Sequence, residues 1–191
     1  RIAEQSESRQ ILGLSDLITE AIQLIEQQEG QALTGTPSGY TDLDEMTGGM
    51  QPGELLILAA RPSMGKTALA LNIAENIAIR SEPVGMFSLE MSSNQIVQRL
   101  LSARSGVSGR NLRRNALKDS DFQALFAACD ELRNAPIYID DTPGLTLMQL
   151  RAKARRMKQK YDIKALFIDY LQLMTSGNRS ESRQQEVSEL S

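Results

Sequence analysis

Glycine, lysine and threonine close an eight-residue stretch, Ala60-Arg61-Pro62-Ser63-Met64-Gly65-Lys66-Thr67. An apolar run, residues 55–59, leads into it, and an alanine-rich stretch follows. A strand, an abrupt turn and a helix opening at Lys66 make a phosphate cradle. Backbone N–H groups wrap the anion, and the helix amino end adds free donors and a favourable dipole. The spacing fits the phosphate-loop pattern, with Ala60 in place of the usual first glycine. Gly65 permits close approach or a positive φ. Lys66 reaches the β- and γ-phosphates, and Thr67 offers its hydroxyl to Mg²⁺. The nucleotide-holding set is therefore Ser63, Met64, Gly65, Lys66, Thr67 and Ala68, with a solvated turn as the alternative.

A magnesium site also calls for an acid on a second strand. Asp169 ends the apolar run Ala165-Leu166-Phe167-Ile168. In a parallel sheet that places a carboxylate at the strand's carboxyl end, where open α/β sheets bind ligands. Mg²⁺ keeps several waters, so Asp169 acts directly or through one of them; its competing role is to cap the following turn. Hydrolysis further needs a group that orients or deprotonates water. Glu90 follows Phe87-Ser88-Leu89 and can face the γ-phosphate, or it can cap the next helix near Ser92. Arg99, on that next helix, can contact phosphate or base, or form a surface salt bridge. No Asn-Lys-x-Asp guanine-reading stretch is present, which leans toward ATP.

The elements that must hold these groups follow from periodicity. Residues 15–28 carry a helical pattern with Ser15 as a candidate N-cap. Residues 31–41 read as loop, residues 41–46 as a helical turn, and residues 54–59 as the first strand. Helices are predicted over residues 66–80, 92–103, 121–132 and 146–160. Ser92-x-x-Gln95 and Thr146-x-x-Gln149 are capping-box patterns. Strands are predicted over residues 84–89, 137–139 and 165–170, and residues 106–111 read as a polar turn. Alternating strands and helices imply a three-layer α/β domain around a mainly parallel sheet.

Composition removes several function classes. The 191 residues hold 21 basic and 24 acidic side chains, a net charge of −3, so a globally basic nucleic-acid binder is not indicated. There is no histidine, which excludes His-based acid–base chemistry, His–Cys zinc sites and Ser–His–Asp triads within this chain. The single cysteine, Cys129, forms no internal disulfide, reads as a small buried side chain and suits a reducing compartment. No apolar run is long enough to cross a bilayer, and no signal-peptide pattern is seen. An initial Arg and a helix-like ending point to a piece of a longer protein.

Four blocks in order carry a resemblance. They are Gly48-Gly49-Met50-Gln51-Pro52-Gly53, the stretch from Ala60 to Thr67, Phe87-Ser88-Leu89-Glu90-Met91-Ser92, and Ile168-Asp169-Tyr170-Leu171-Gln172-Leu173-Met174. Over nearly its whole length the chain resembles the C-terminal ATPase domain of bacterial replicative DNA helicases of the DnaB type. The resemblance implies a RecA-like P-loop NTPase fold, truncated at its C-terminal end, and a ring-shaped homo-hexamer in the full-length protein. It implies ATP and Mg²⁺ as cofactors, single-stranded DNA as track, and primase and a helicase loader as partners. It makes Glu90 the catalytic glutamate, Lys66 and Thr67 the phosphate and metal holders, Asp169 the metal-side acid, and Arg99 an ATP contact. It implies a cytoplasmic, nucleoid-associated bacterial protein, or a plastid one. Residues 1–30 become a linker with a subunit-docking helix, and residues 31–191 an incomplete ATPase core. The family's later strands, arginine finger and main DNA loops fall past residue 191, so the chain alone is expected to be inactive or weakly active.

Two regions carry local positive charge for a DNA backbone. One is the helix with Arg151, Lys153, Arg155, Arg156, Lys158 and Lys160, which also reads as a solvated face. The other is the polar loop with Arg179 and Arg183, directly after the Asp169 strand and the better DNA-facing candidate. No aromatic stripe offers base stacking, so contact is expected without sequence preference. Two other readings share these motifs: a RecA-type recombination or repair ATPase, and a nucleotide-binding structural or loader-like module without hydrolysis.

Overall fold

The computed structural model describes residues 13–28, 33–61 and 63–169. Seven helices and three strands alternate among them: α1 (Leu14–Gln28), α2 (Thr41–Thr47), α3 (Lys66–Ile79), β1 (Val84–Ser88), α4 (Ser93–Ser105), α5 (Gly109–Arg114), α6 (Asp119–Arg133), β2 (Ile137–Asp140), α7 (Leu147–Tyr161) and β3 (Ala165–Asp169). The sheet order is β2-β1-β3, and both pairings are parallel. β1 is therefore central and buried along its whole length, as an apolar strand with neighbours on both edges should be.

Alternation along the strands sorts side chains into two layers. Met86 packs with Leu71 of α3 and Ile96 and Leu100 of α4, joined by Leu132, Ile137, Ile139 and Phe167. Val84 lies on the same face, against Ala74, Ile77 and Ala78. Phe87 and Ile168 face the other way and meet Leu145, with Leu150, Ala154 and Met157 of α7. The sheet is thus sandwiched between α3, α4 and α6 on one side and α7 on the other. At Gly85 a Cβ would stand 2.9 Å from Leu166, 3.0 Å from Ile163 and 3.3 Å from Met157, so a bare backbone lets α7 sit close.

Helix ends follow local chemistry. Ser92 N–H donates to Gln95 Oε1 at 3.1 Å. Thr146 N–H donates to Gln149 Oε1 at 3.0 Å, and Gln149 N–H returns to Thr146 Oγ1 at 3.3 Å. Both expected capping pairs form. Four expectations are corrected. Ser15 lies inside α1, and the Gly13 carbonyl instead accepts from Asp16 and Leu17 at 3.1 and 3.2 Å. The turn expected at residues 106–111 becomes α5, because the Ser108 hydroxyl caps Arg110 N–H at 3.3 Å. Cys129 is half-buried, on the wall of an apolar groove between α4 and α6.

The fourth correction is the largest. Residues 54–59 form no strand. Leu55, Leu56, Ile57 and Leu58 are 71%, 58%, 74% and 43% exposed. An apolar parallel strand is held by neighbours on both edges and cover on both faces. Among the described residues the outer edge of β3 carries no further strand, and this run forms no ladder there. The composition reads strand; the partners that stabilise one are not among the described residues.

Candidate functional site

The amino end of α3 is built for an anion. An acid in a helix's first turn would repel a bound anion. That of α3 holds none, and no side chain caps its N–H groups. Lys66 and Thr67 open it instead. The loop before it turns through two left-handed residues, Ser63 at φ 65° and Gly65 at φ 91°. Gly65 adopts that region without cost; Ser63 holds it at a strain of about 1 kcal/mol. Met64 N–H donates to the Arg61 carbonyl at 3.2 Å and Leu69 N–H to the Gly65 carbonyl at 2.9 Å, which fixes the turn onto the helix. Ser63, Met64, Gly65 and Ala68 are exposed around it, and Lys66 and Thr67 are half-buried.

Asp169 meets this helix from the end of β3. The Thr67 hydroxyl donates to Asp169 Oδ2 at 2.7 Å. The Lys66 ammonium lies 3.2 Å from Asp169 Oδ1. The carboxylate is buried, with 7% of its side chain exposed. The two residues named from separate motifs, 102 positions apart, thus share one cleft.

Glu90 enters from the neighbouring strand. β1 is in register with β3, Ser88 opposite Asp169, and Leu89 N–H donates to the Asp169 carbonyl at 2.7 Å. Glu90 lies two residues past Ser88, exposed in the turn before α4. Its competing role as a helix cap goes to Gln95. Two residues that sequence reasoning missed hold this turn. Buried Ser88 donates through its hydroxyl to the Met91 carbonyl at 2.8 Å and accepts Met91 N–H at 3.3 Å. Asp141, just beyond β2, accepts Ser93 N–H at 2.7 Å, which lowers its carboxyl below the ordinary range. The signal for Ser88 was faint: a hydroxyl at the end of an otherwise apolar strand.

Arg99 lies on the exposed side of α4 and forms no ion pair with a described residue. Arg179 and Arg183 lie outside the described residues. Among those described, no cluster of three acids, cysteines or histidines could hold a metal alone. One carboxylate and one hydroxyl suit a Mg²⁺ that takes its remaining ligands from phosphate and water.

The description "DnaB-like helicase C terminal domain" matches residues 35–191. The chain belongs to this family. It is 47% identical over 181 residues to the replicative DNA helicase DnaB of Leifsonia xyli subsp. xyli, covering 93% of this chain and 40% of that protein. It is 45% identical over 195 residues to DnaB of Geobacillus stearothermophilus, covering 100% of this chain and 43% of that protein. Among solved structures, one described as an ATPase domain superposes with a TM-score of 0.85 at 31% identity, over 93% of this chain and 64% of that one. A DnaB-like replicative helicase whose structure was described with its primase interactions gives 0.82 at 32% identity, over 94% of this chain and 43% of that one. The DnaB-type, RecA-like fold expected from the four blocks is therefore the fold observed. The chain spans 40% and 43% of the length of these two curated relatives.

Proposed function

We propose that this chain is the nucleotide-hydrolysing part of a replicative DNA helicase, which couples ATP hydrolysis to movement along single-stranded DNA and to duplex opening. The convergence of Lys66 and Thr67 on Asp169 carries the reading. Bound MgATP would have its phosphates held by the loop N–H groups and Lys66 and its metal held by Thr67 and Asp169, and that metal would supply charge neutralisation at the γ-phosphoryl group. Glu90, from the adjoining strand, orients a water and takes its proton as the γ-phosphoryl group passes to that water, leaving ADP and phosphate. Arg99 is assigned to the nucleotide from the outer side of α4, and Arg179 and Arg183 to DNA.

Residues 1–30 are assigned as a linker and residues 31–191 as the ATPase core. Support comes from α1, whose Leu14, Leu17, Ile18 and Ile22 are 73%, 46%, 50% and 50% exposed and offer an apolar side to a neighbouring subunit. The full protein is then a homo-hexamer working with primase and a loader in the bacterial cytoplasm. Among the described residues no helix is long and apolar enough to cross a membrane. The family match disfavours the recombination-ATPase reading, and a forked substrate separates the two: the full-length protein should unwind it without pairing homologous strands.

Glu90→Gln in the full-length protein tests the chemistry. ATP affinity should stay within about twofold while turnover falls at least ~100-fold, as for loss of a general base. Unchanged turnover removes Glu90 from the mechanism.

A further inference from the structure

We infer that Asp141, just past β2, is a positioning residue for hydrolysis, which pins the turn carrying Glu90 so that its carboxylate stays aimed at the cleft; this rests on the reading of Glu90 as the group that orients water. The Glu90 carboxylate forms no hydrogen bond or ion pair with a described residue, so its backbone alone aims it. That backbone is the turn between β1 and α4, and it is held from both neighbouring strands. On the β3 side, Leu89 N–H donates to the Asp169 carbonyl at 2.7 Å. On the β2 side, Ser93 N–H donates to Asp141 Oδ2 at 2.7 Å. The Ser88 and Gln95 bonds close the turn on itself and on α4. Asp141 is the side chain that ties the far end of the turn to another element.

Sheet register brings the two together. Phe87 of β1 lies opposite Asp140 of β2, so the segments that follow leave the sheet side by side. The first turn of α4 holds no acid of its own. Asp141 supplies, from 48 positions away, the negative charge that a helix amino end favours. A bond to a carboxylate is also stronger than one between neutral groups. The loop that presents Asp141 is itself braced. Asp140 Oδ1 accepts Thr142 N–H at 3.0 Å, closing a turn around Asp141. Lys153 of α7 donates to Asp140 Oδ2 and to the Thr142 hydroxyl, each at 2.7 Å. Asp141 is exposed, and an exposed contact adds little to global stability. Aim is more sensitive: a misplacement of about 1 Å can lower a rate by about 100-fold.

The test measures steady-state ATP hydrolysis by the full-length protein. In Asp141→Ala, kcat should fall at least ~10-fold with KM for ATP within about twofold, because Lys66, Thr67 and Asp169 are untouched. Asp141→Asn keeps an oxygen for Ser93 N–H and should recover kcat to within about threefold of wild type. Ser93→Pro cuts the same bond at its donor end. Proline has no N–H, is favoured at the first helical position, and suits the extended backbone of Ser92, at φ −70° and ψ 154°. Ser93→Pro should reproduce the fall in kcat, and Asp141→Ala added to it should lower kcat no further. Should Asp141→Ala not fold, Ser93→Pro carries the test alone. In a Glu90→Gln background, Asp141→Ala should leave the residual turnover unchanged. Wild-type kcat in Asp141→Ala overturns the inference. Equal losses in Asp141→Ala and Asp141→Asn also overturn it, because charge rather than the bond is then at work. So does a loss repeated in full without Glu90, because Asp141 then acts elsewhere. If Glu90→Gln alone turns over like wild type, the reading of Glu90 falls as well.

Discussion

Asp169 serves three partners through different atoms. Its carboxylate takes the Thr67 hydroxyl and faces the Lys66 ammonium, while its backbone carbonyl takes Leu89 N–H. One residue therefore ties the first turn of α3 to the turn that carries Glu90. Thr67 is the sharper probe, because its hydroxyl is small and its loss leaves the lysine in place. Thr67→Ala should weaken MgATP binding by about tenfold, the worth of one hydrogen bond to a charged group. Thr67→Ser should restore it. Fluorescent-nucleotide titration with and without Mg²⁺ separates the roles: an equal loss in both conditions means the hydroxyl serves the carboxylate alone. Ser88 and Asp141 act one step further out, by fixing the backbone on either side of Glu90.

At the scale of elements, α3 is tied along its length as well as at the cleft. Glu75 lies buried in its middle with 7% of its side chain exposed, 3.7 Å from Arg104 of α4. Burial pushes its carboxyl up from the ordinary 4.5; Arg104 opposes the shift and Glu131 of α6 adds to it. A raised carboxyl releases its proton more readily unfolded than folded. Its contribution to stability therefore falls as pH rises from about 4.5 toward the folded value. Glu75→Gln should flatten the pH dependence of urea-melt midpoints above that point, and parallel curves for the two proteins would refute the assignment. Asp44 has the opposite sign. Burial opposes ionisation, but Ser38 and Gly39 N–H donate to its carboxylate at 2.7 and 3.0 Å and lower it overall. Asn76 of α3 donates to the Ser38 carbonyl at 3.0 Å, so this loop leans on the phosphate-loop helix.

The same scale shows what the sequence could disclose. Elements whose signals are local were readable: the αL glycine before Lys66, the two Gln capping pairs, and the apolar runs of β1 and β3. The Thr67–Asp169 contact was inferable because a parallel sheet gathers its strands' carboxyl ends and the amino ends of its helices along one edge. Features set by distant partners were not. Six residues of α5 are too few for periodicity to register. The run at residues 54–59 has strand composition, but pairing is decided by neighbours that composition does not encode. Glu75 reads as a surface acid within a helix, yet α4 and α6 cover it.

For the whole molecule, charge and apolar surface are unevenly placed. Net charge is −3, yet α7 alone carries six cations, so the balancing acids lie elsewhere. α1 turns Leu17, Ile18 and Ile22 outward, each at least 46% exposed. If that side seats on a neighbouring subunit, Ile18→Ser with Ile22→Ser removes about 3 kcal/mol of apolar burial per contact. Light scattering of the full-length protein should then show the hexamer replaced by smaller species at micromolar concentration, with nucleotide affinity of each subunit kept. An intact hexamer would assign α1 another role.

Leu55-Leu56-Ile57-Leu58 has its own consequence. It is apolar, free of charge and proline, and lies in a molecule whose β3 has, among the described residues, an unoccupied side. Such a segment can supply a rung to any chain that offers a matching backbone, a second copy of itself included. Residues 1–191 handled by themselves should consequently be sticky and precipitate more readily as they are concentrated. Solubility is governed by whatever sequesters those four side chains rather than by the acidic balance of the surface.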